Sequence, residues 1–414
     1  MITVLRQRNF ALLWFGGLIS ITGDWALNVA LPFYVYQMTG SALATGLMFM
    51  ARTLPGVLLG SLAGVFVDRW NRKWTMVVVN LLATLLVLLL LTVKSTAWLW
   101  VVYLVALVES AFMQFFTPAE KALLPRLVAE KHLVTANSLS ALNASLGMFI
   151  GPAIGGALMG LTGLTSVVIF DSVSYLVAGG MIFLIAWSPE MTSQKPESPS
   201  AFKTWAGIWR DWLDGLKLVK RSRPITTIFV AAGIAMLGEG IIQALLVLFV
   251  NLLKGGAVEF GWLLTLRGLG GLLGGLIFGN IGAAVKPHRI FPWTLVGIGA
   301  LLLIMFNYPV LLLALISLCL TGILAVGASA TSTTMLQNGV SNGYLGRIFG
   351  VFGMIAALMT LVGQGSASAL ADRWGVVVLL NIGGGLYVLS GLIPLVMLKN
   401  IPNSGITKID IMKT

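Results

Sequence analysis

Apolar residues fall into twelve long runs along the chain, at 9–38, 43–67, 74–94, 97–117, 135–160, 164–188, 223–252, 257–283, 288–306, 309–335, 346–371 and 375–399. Each is about 20 residues or longer, the length of helix needed to cross roughly 30 Å of hydrocarbon. The pattern predicts an all-α membrane protein with twelve transmembrane helices. One longer polar interruption divides the runs six and six. The expected organisation is therefore a six-helix bundle over 1–188, a cytoplasmic linker over 189–222, and a second six-helix bundle over 223–414 with a short cytoplasmic tail. Within the linker, Phe202, Trp205, Trp209, Trp212, Leu213, Leu216 and Val219 recur at helical spacing, opposite Lys203, Arg210, Lys217 and Lys220. That pattern predicts a basic amphipathic helix suited to the headgroup layer.

Composition agrees with the pattern. Hydrophobic residues make up 58% of the 414 and charged residues 10%, against about 25% charged in a soluble domain. A net charge of +12 would suggest nucleic acid in a soluble protein, but here the charge divides by membrane face. Arg6, Arg8, Arg69, Arg72, Lys73, Lys121, Arg126, Lys131, seven Lys/Arg between 195 and 223, Lys286, Arg289, Arg347, Lys399, Lys408 and Lys413 fall on the side of both termini. Only Lys94, Lys254 and Arg373 fall on the other. Both termini are thus expected in the cytoplasm, and no nucleic-acid partner is expected. The lone Cys319 lies in an apolar run, so no disulfide or cysteine metal site is expected. The basic, apolar start has no small-residue cleavage site before Asp24 and Trp25, so it reads as a retained first helix.

The two halves repeat. Asp24 and Arg52 recur 215 positions later as Glu239 and Arg267. Gly23, Asn28, Gly56, Gly60 and Gly64 recur at the same offset as Gly238, Gln243, Gly271, Gly275 and Gly279. Later spans match at an offset near 212. Charges inside apolar spans are rare because each costs a few kcal/mol, so their recurrence marks duplication, a hallmark of secondary transporters.

Asp24 and Arg52 lie at equal depth, roughly 21 Å from their cytoplasmic ends at 1.5 Å per residue, and Glu239 and Arg267 give a similar count. Each acid is expected to pair with its arginine, either as a proton-coupling switch or as a static buried salt bridge. Glu109 and Asp171 have no base at matching depth; either could be a second proton site or be held neutral by a neighbour such as Ser174 or Tyr175, and Glu109 reads as a further coupling group and Asp171 as structural. Asn28 and Gln243 lie one turn beyond the acids and are expected to line a substrate cavity, either binding substrate or satisfying the carboxylates. Trp25, Tyr34, Met113, Gln114 and Met335 could supply its adaptable apolar walls, or simply pack. His132 and His288 lie in loops, and no cluster of nucleophile, base and orienting group is visible, so an enzyme is not expected. No ATP-binding loop is present, so energy comes from an ion gradient or from the substrate's own.

Between the second and third spans the chain reads Gly64-Val-Phe-Val-Asp68-Arg69-Trp70-Asn71-Arg72-Lys73. This resembles the signature loop of the major facilitator superfamily, with Asn71 where glycine is usual, as suits a left-handed backbone. The resemblance implies the major facilitator fold of two pseudo-symmetric bundles. It also implies a conformational latch formed by Gly64, Asp68, Arg69, Arg72 and Lys73, with Asp68 meeting the start of the eleventh span near Gly346 and Arg347. Its basic residues are expected to anchor to anionic lipid. Ala283 replaces the aspartate in the second copy, so one electrostatic latch is expected.

In the fifth span, Gly147, Gly151, Pro152, Gly155 and Gly156 resemble the family's antiporter motif, which implies export; glycines at this spacing equally allow tight helix packing. Phe116-Thr117-Pro118-Ala119, Leu124-Pro125-Arg126, Ala136-Asn137-Ser138 and Phe170-Asp171 resemble the branch containing bacterial macrolide efflux proteins and the enterobactin exporter. The resemblance implies a monomeric proton-driven exporter of amphipathic, drug-like organic compounds in the bacterial inner membrane. Its partners would be that substrate, protons and membrane lipids, and no cofactor is expected. The alternatives are a lipid, lysophospholipid or siderophore transporter of the same fold, or a passive facilitator.

Overall fold

The structure, a computed structural model, describes residues 2–60, 63–67, 70–186, 219, 222–281, 286–340 and 344–397. Among the described residues twelve helices are long and apolar enough to cross a membrane, and no strand occurs. In chain order they are α1 (Arg8–Thr39), α2 (Ala42–Leu59, resuming at Ala63–Val67), α3 (Arg72–Leu88), α4 (Leu99–Leu127), α5 (Leu133–Thr162), α6 (Leu164–Phe183), α7 (Arg223–Leu252), α8 (Ala257–Ile281), α9 (Pro287–Asn307), α10 (Leu311–Gly339), α11 (Leu345–Trp374) and α12 (Val376–Met397). The protein is an all-α, multi-pass membrane protein. The amphipathic segment of the linker lies outside the described residues, apart from Val219.

The chain forms two compact units. The first holds Met1–Gly40, Ala51–Lys203 and Gly256–Thr265; the second holds Ser41–Met50, Thr204–Gly255 and Leu266–Thr414. In the first, α1 packs against α5 and α6, and α3 against α4 and α6. The second repeats the plan: α7 packs against α11 and α12, and α9 against α10 and α12.

Local chemistry repeats as well. Gly163 turns α5 into α6 with φ +81° and donates its N–H to the Met159 carbonyl. Gly375 turns α11 into α12 with φ +82° and donates to Ala371. Both positions need a left-handed backbone, which glycine adopts without a Cβ clash. Asn71 departs from the expectation of such a backbone. Its φ of −70° and ψ of 110° are extended, and its side chain accepts the Trp74 N–H at 3.2 Å, so it caps α3. Asparagine is among the best residues for satisfying an orphan N–H at a helix start, and that role decides the position. Helix α4 also runs past its expected end near residue 117, through Pro118 and Pro125 to Leu127.

Candidate functional site

Helices α1, α2, α4 and α6 of the first unit bring six polar side chains together. Asp24, Glu109 and Asp171 each contribute a carboxyl oxygen to a group in which all three lie within 4.8 Å of one another. Glu109 and Asp171 are buried, at 2% and 0% exposure. The Tyr175 hydroxyl donates to Asp24 Oδ1 and also lies 3.2 Å from Glu109 Oε1. Ser174 donates to Asp171 Oδ1 at 3.3 Å. Gly23 makes this packing possible: a Cβ there would collide with Ser174 Oγ and Asp171 Oδ1.

The expected pairing of Asp24 with Arg52 is corrected here. Arg52 forms its ion pair with Glu109, Nη2 to Oε1 at 3.7 Å, while Asp24 turns to α6 and takes the tyrosine. Equal depth did not fix the partner, because helix rotation aims Asp24 at α6 rather than α2. Glu109 and Asp171, expected to stand alone, are therefore members of one cluster with Asp24. Arg52 Nη1, Glu109 Oε2 and Asp171 Oδ2 are buried without a hydrogen-bond partner.

The second unit builds a tighter version from α7, α8, α11 and α12. Glu239 accepts from Arg267 at 2.7 Å and from Gln243 at 3.2 Å on one oxygen, and from Tyr387 at 2.7 Å on the other. Gln364 donates to Gln243 at 3.2 Å. Gln243 thus satisfies the carboxylate.

The repeat extends to further residues. Tyr175 and Tyr387 stand 212 positions apart, each holding the acid of its unit. Gly238 is the counterpart of Gly23, and a Cβ on it would lie 2.7 Å from the Gly383 carbonyl and 3.3 Å from Leu386. These are the counterparts of Asp171 and Ser174. Ser110 donates to the Arg52 carbonyl at 2.6 Å, and its counterpart Gly322 packs its bare backbone against the Arg267 carbonyl. Register is thereby fixed, and Thr321 and Gly383 occupy the places of Glu109 and Asp171.

The other cavity residues divide. Trp25 is half-buried, with its Cβ over Gly151; Asn28 is half-buried and makes no hydrogen bond among the described residues. Gln114 donates to the Ser110 carbonyl at 3.3 Å and faces Gly56 and Gly60, and Met113 is half-buried on the same helix. For the remaining two candidates the structure shows packing contacts. The Tyr34 hydroxyl donates to the Val93 carbonyl at 2.8 Å, where α3 has unwound and left that group unpaired. Met335 is 3% exposed and belongs to the packed interior of its unit.

The glycine motif of α5 has two working faces. Gly147, Gly151 and Gly155 lie against Ile21, Thr22, Trp25 and Ala26 of α1. Gly156 lies against the start of α8, where a Cβ would stand 2.6 Å from the Ala257 carbonyl and 2.9 Å from the Gly261 Cα, and the Pro152 carbonyl would stand 2.5 Å from a Cβ on Gly261.

A model of the Major Facilitator Superfamily matches residues 13–363, most of the chain. The chain belongs to the major facilitator superfamily. Among its relatives, the uncharacterized MFS-type transporter YfiS of Bacillus subtilis (strain 168) is 27% identical, over 94% of this chain and 93% of that one. Macrolide efflux protein A of Streptococcus pyogenes is 24% identical, over 89% and 90%. The crystal structure of the nucleoside transporter NupG superposes with a TM-score of 0.76 at 12% identity, covering 95% of this chain and 100% of that one. Membership makes the protein a transporter and not an enzyme.

Within the superfamily's signature loop, Asp68 and Arg69 lie outside the described residues, and Gly64 is described only as part of the Ala63–Val67 helix. Lys73 corrects the expectation of a lipid anchor. It is 9% exposed and donates to the Ile185 carbonyl at 2.7 Å, just past the end of α6, with its ammonium 5.5 Å from the Phe183 ring. A cation is favourable at a helix C-terminus, where carbonyls lack partners. Arg72, beside it, is half-buried with an unpartnered Nε, and the Arg347 guanidinium stacks on Tyr344 at 5.6 Å.

Proposed function

We propose that this member of the superfamily is a proton-driven exporter of amphipathic organic compounds that works by alternating access in a bacterial inner membrane. The observation that carries the reading is the contrast between the two buried acid–arginine sites. Around Glu239 every carboxyl oxygen has a donor, and Arg267 holds it at 2.7 Å. Around Asp24 the arginine contact is long and falls on Glu109, and buried carboxyl and guanidinium atoms remain without partners. Unpaired buried polar atoms are costly, so a site of that kind changes state readily when a proton arrives or leaves.

In this reading the first unit couples and the second holds. Protonation of the Asp24–Glu109 cluster weakens its hold on Arg52, and the freed guanidinium alters which cavity state is favoured; substrate binding reverses the step. The efflux-named relative supports outward transport, as do the α5 glycines, and drug-like amphipaths fit a half-buried lining of Trp25, Asn28, Met113 and Gln114.

Purified protein in proteoliposomes with an imposed proton gradient, and erythromycin as the probe, tests the reading. The wild type is expected to move the macrolide against its gradient while releasing protons, and Asp24→Asn to lose both. Macrolide transport that is indifferent to the gradient, or unaltered coupling in Asp24→Asn, overturns it.

A further inference from the structure

The first unit's cluster has a hydrogen inventory that can be counted. Three carboxyl groups, Asp24, Glu109 and Asp171, each place an oxygen within 4.8 Å of the other two, and one guanidinium, Arg52, is paired to Glu109 at 3.7 Å. The remaining groups facing the cluster are the Tyr175 hydroxyl and Ser174. The helices packed around α6 add no further charged group there: the cations of α3, Arg72 and Lys73, sit at its N-terminal end, where Lys73 is occupied by Ile185. α5 carries no charged side chain.

A tyrosine hydroxyl carries one hydrogen, yet Tyr175 oxygen makes two close contacts with carboxyl oxygens, one on Asp24 and one on Glu109. One contact uses the phenol's hydrogen. The other needs a hydrogen on a carboxyl. Independently, Asp171 Oδ2 and Glu109 Oε2 are buried with no donor in reach. A buried oxygen that bears charge without a donor is strongly disfavoured, whereas a protonated carboxyl supplies its own hydrogen. One arginine balances one carboxylate, so electroneutrality in a low-dielectric setting leaves two carboxyls to be neutralised by protons.

The repeat supports this account. At the corresponding positions of the second unit stand Gly383 and Thr321, and the single remaining acid, Glu239, balances the single arginine, Arg267. One unit keeps its charges matched by side chains alone. The other carries two acids in excess.

We propose that Asp171 is a working member of the coupling site, and that Asp24, Glu109 and Asp171 together hold two exchangeable protons per chain. This rests on the reading of the first unit as the coupling unit. It adds a stoichiometry, and it gives Asp171 a proton-binding role in place of a structural one.

The test is a proton count on the full-length protein in detergent, by potentiometric titration combined with infrared difference spectroscopy of the protonated-carboxyl band. Wild type is expected to take up two protons into buried carboxyls on acidification, Asp171→Asn one, and Glu239→Gln the full two. Asp171→Glu is expected to restore the second proton with a shifted band, which keeps the experiment decisive if the asparagine variant folds poorly. An unchanged count in Asp171→Asn overturns the proposal, as does a loss confined to Glu239→Gln. If the count is two and falls to one as expected while the wild type shows no gradient-driven erythromycin transport, the coupling reading fails and the proton count stands.

Discussion

Tyr175 on α6 and Tyr387 on α12 perform the same act in the two units, each giving its phenolic hydrogen to the acid on that unit's first helix, Asp24 or Glu239. Their surroundings differ. Glu239 has two further donors, Arg267 and Gln243, whereas Asp24 has Tyr175 alone among the described residues. Tyr387→Phe is therefore expected to lower stability by about 1.5–3 kcal/mol, the range for a hydrogen bond to an ionised group, with gradient-driven transport retained. Tyr175→Phe is expected to uncouple erythromycin movement from the proton gradient. Thermal unfolding in detergent and proteoliposome flux separate the two outcomes.

Glu239→Gln leaves Arg267, half-buried inside the membrane-spanning bundle, without a counter-charge. Breaking a buried pair from one side costs about 3–5 kcal/mol, whereas replacing both partners by apolar residues of similar volume is often close to neutral. Glu239→Gln should thus unfold well below wild type, and Glu239→Leu combined with Arg267→Met should recover most of the difference. Calorimetry on the three proteins checks this, and a double variant as unstable as the single one would contradict it.

Glycines of different helices are not equivalent. Gly155→Ala drives a methyl into the Ala26 backbone and is expected to cost about 1–3 kcal/mol through overpacking. Gly279→Ala on α8 meets nothing within 4 Å and is expected to gain roughly 0.5–1 kcal/mol by stiffening the unfolded chain. Melting temperatures of opposite sign are the readout.

Lys73→Met keeps the bulk of the side chain but removes the donor that satisfies the Ile185 carbonyl. Leaving a buried acceptor unpaired costs about 1–3 kcal/mol. The loosening should be local, so faster amide exchange at the end of α6 is expected, with exchange in α7–α12 unchanged. An effect spread through both units would contradict a local cap.

Helix positions were legible from sequence because every membrane crossing must present a long apolar run, and α1 through α12 fall where those runs do. The repeat was legible because charges within such runs are scarce, so Asp24, Arg52, Glu239 and Arg267 stood out. Counting along a helix gives depth but not azimuth. Depth alone paired Arg52 with Asp24, when rotation of α1 aims Asp24 at Tyr175 and leaves Arg52 to Glu109. The same blindness separated Glu109 and Asp171 from the cluster they share with Asp24. Tyr175 was legible as a neighbour for a buried acid, though not as the partner of Asp24; Tyr387 had a signal, recurrence at the later offset, but an uncharged phenol in an apolar run carries little surprise. Lys73 was misplaced for a different reason: a basic residue after a loop suggests lipid headgroups, and nothing local announces that the end of α6 comes to meet it.

Gly156 and Gly261 bring two helix backbones together with no side chain between them. Interlocked helices resist sliding in steps, because ridges of side chains must lift from one groove before settling in the next. At this crossing the two peptides meet bare, and the side chain beside it, Val258, seats over Gly160. The closeness of the two backbones is therefore set by the missing methyls alone, and a single one added at Gly156 would act as a wedge against the Ala257 carbonyl and the Gly261 Cα.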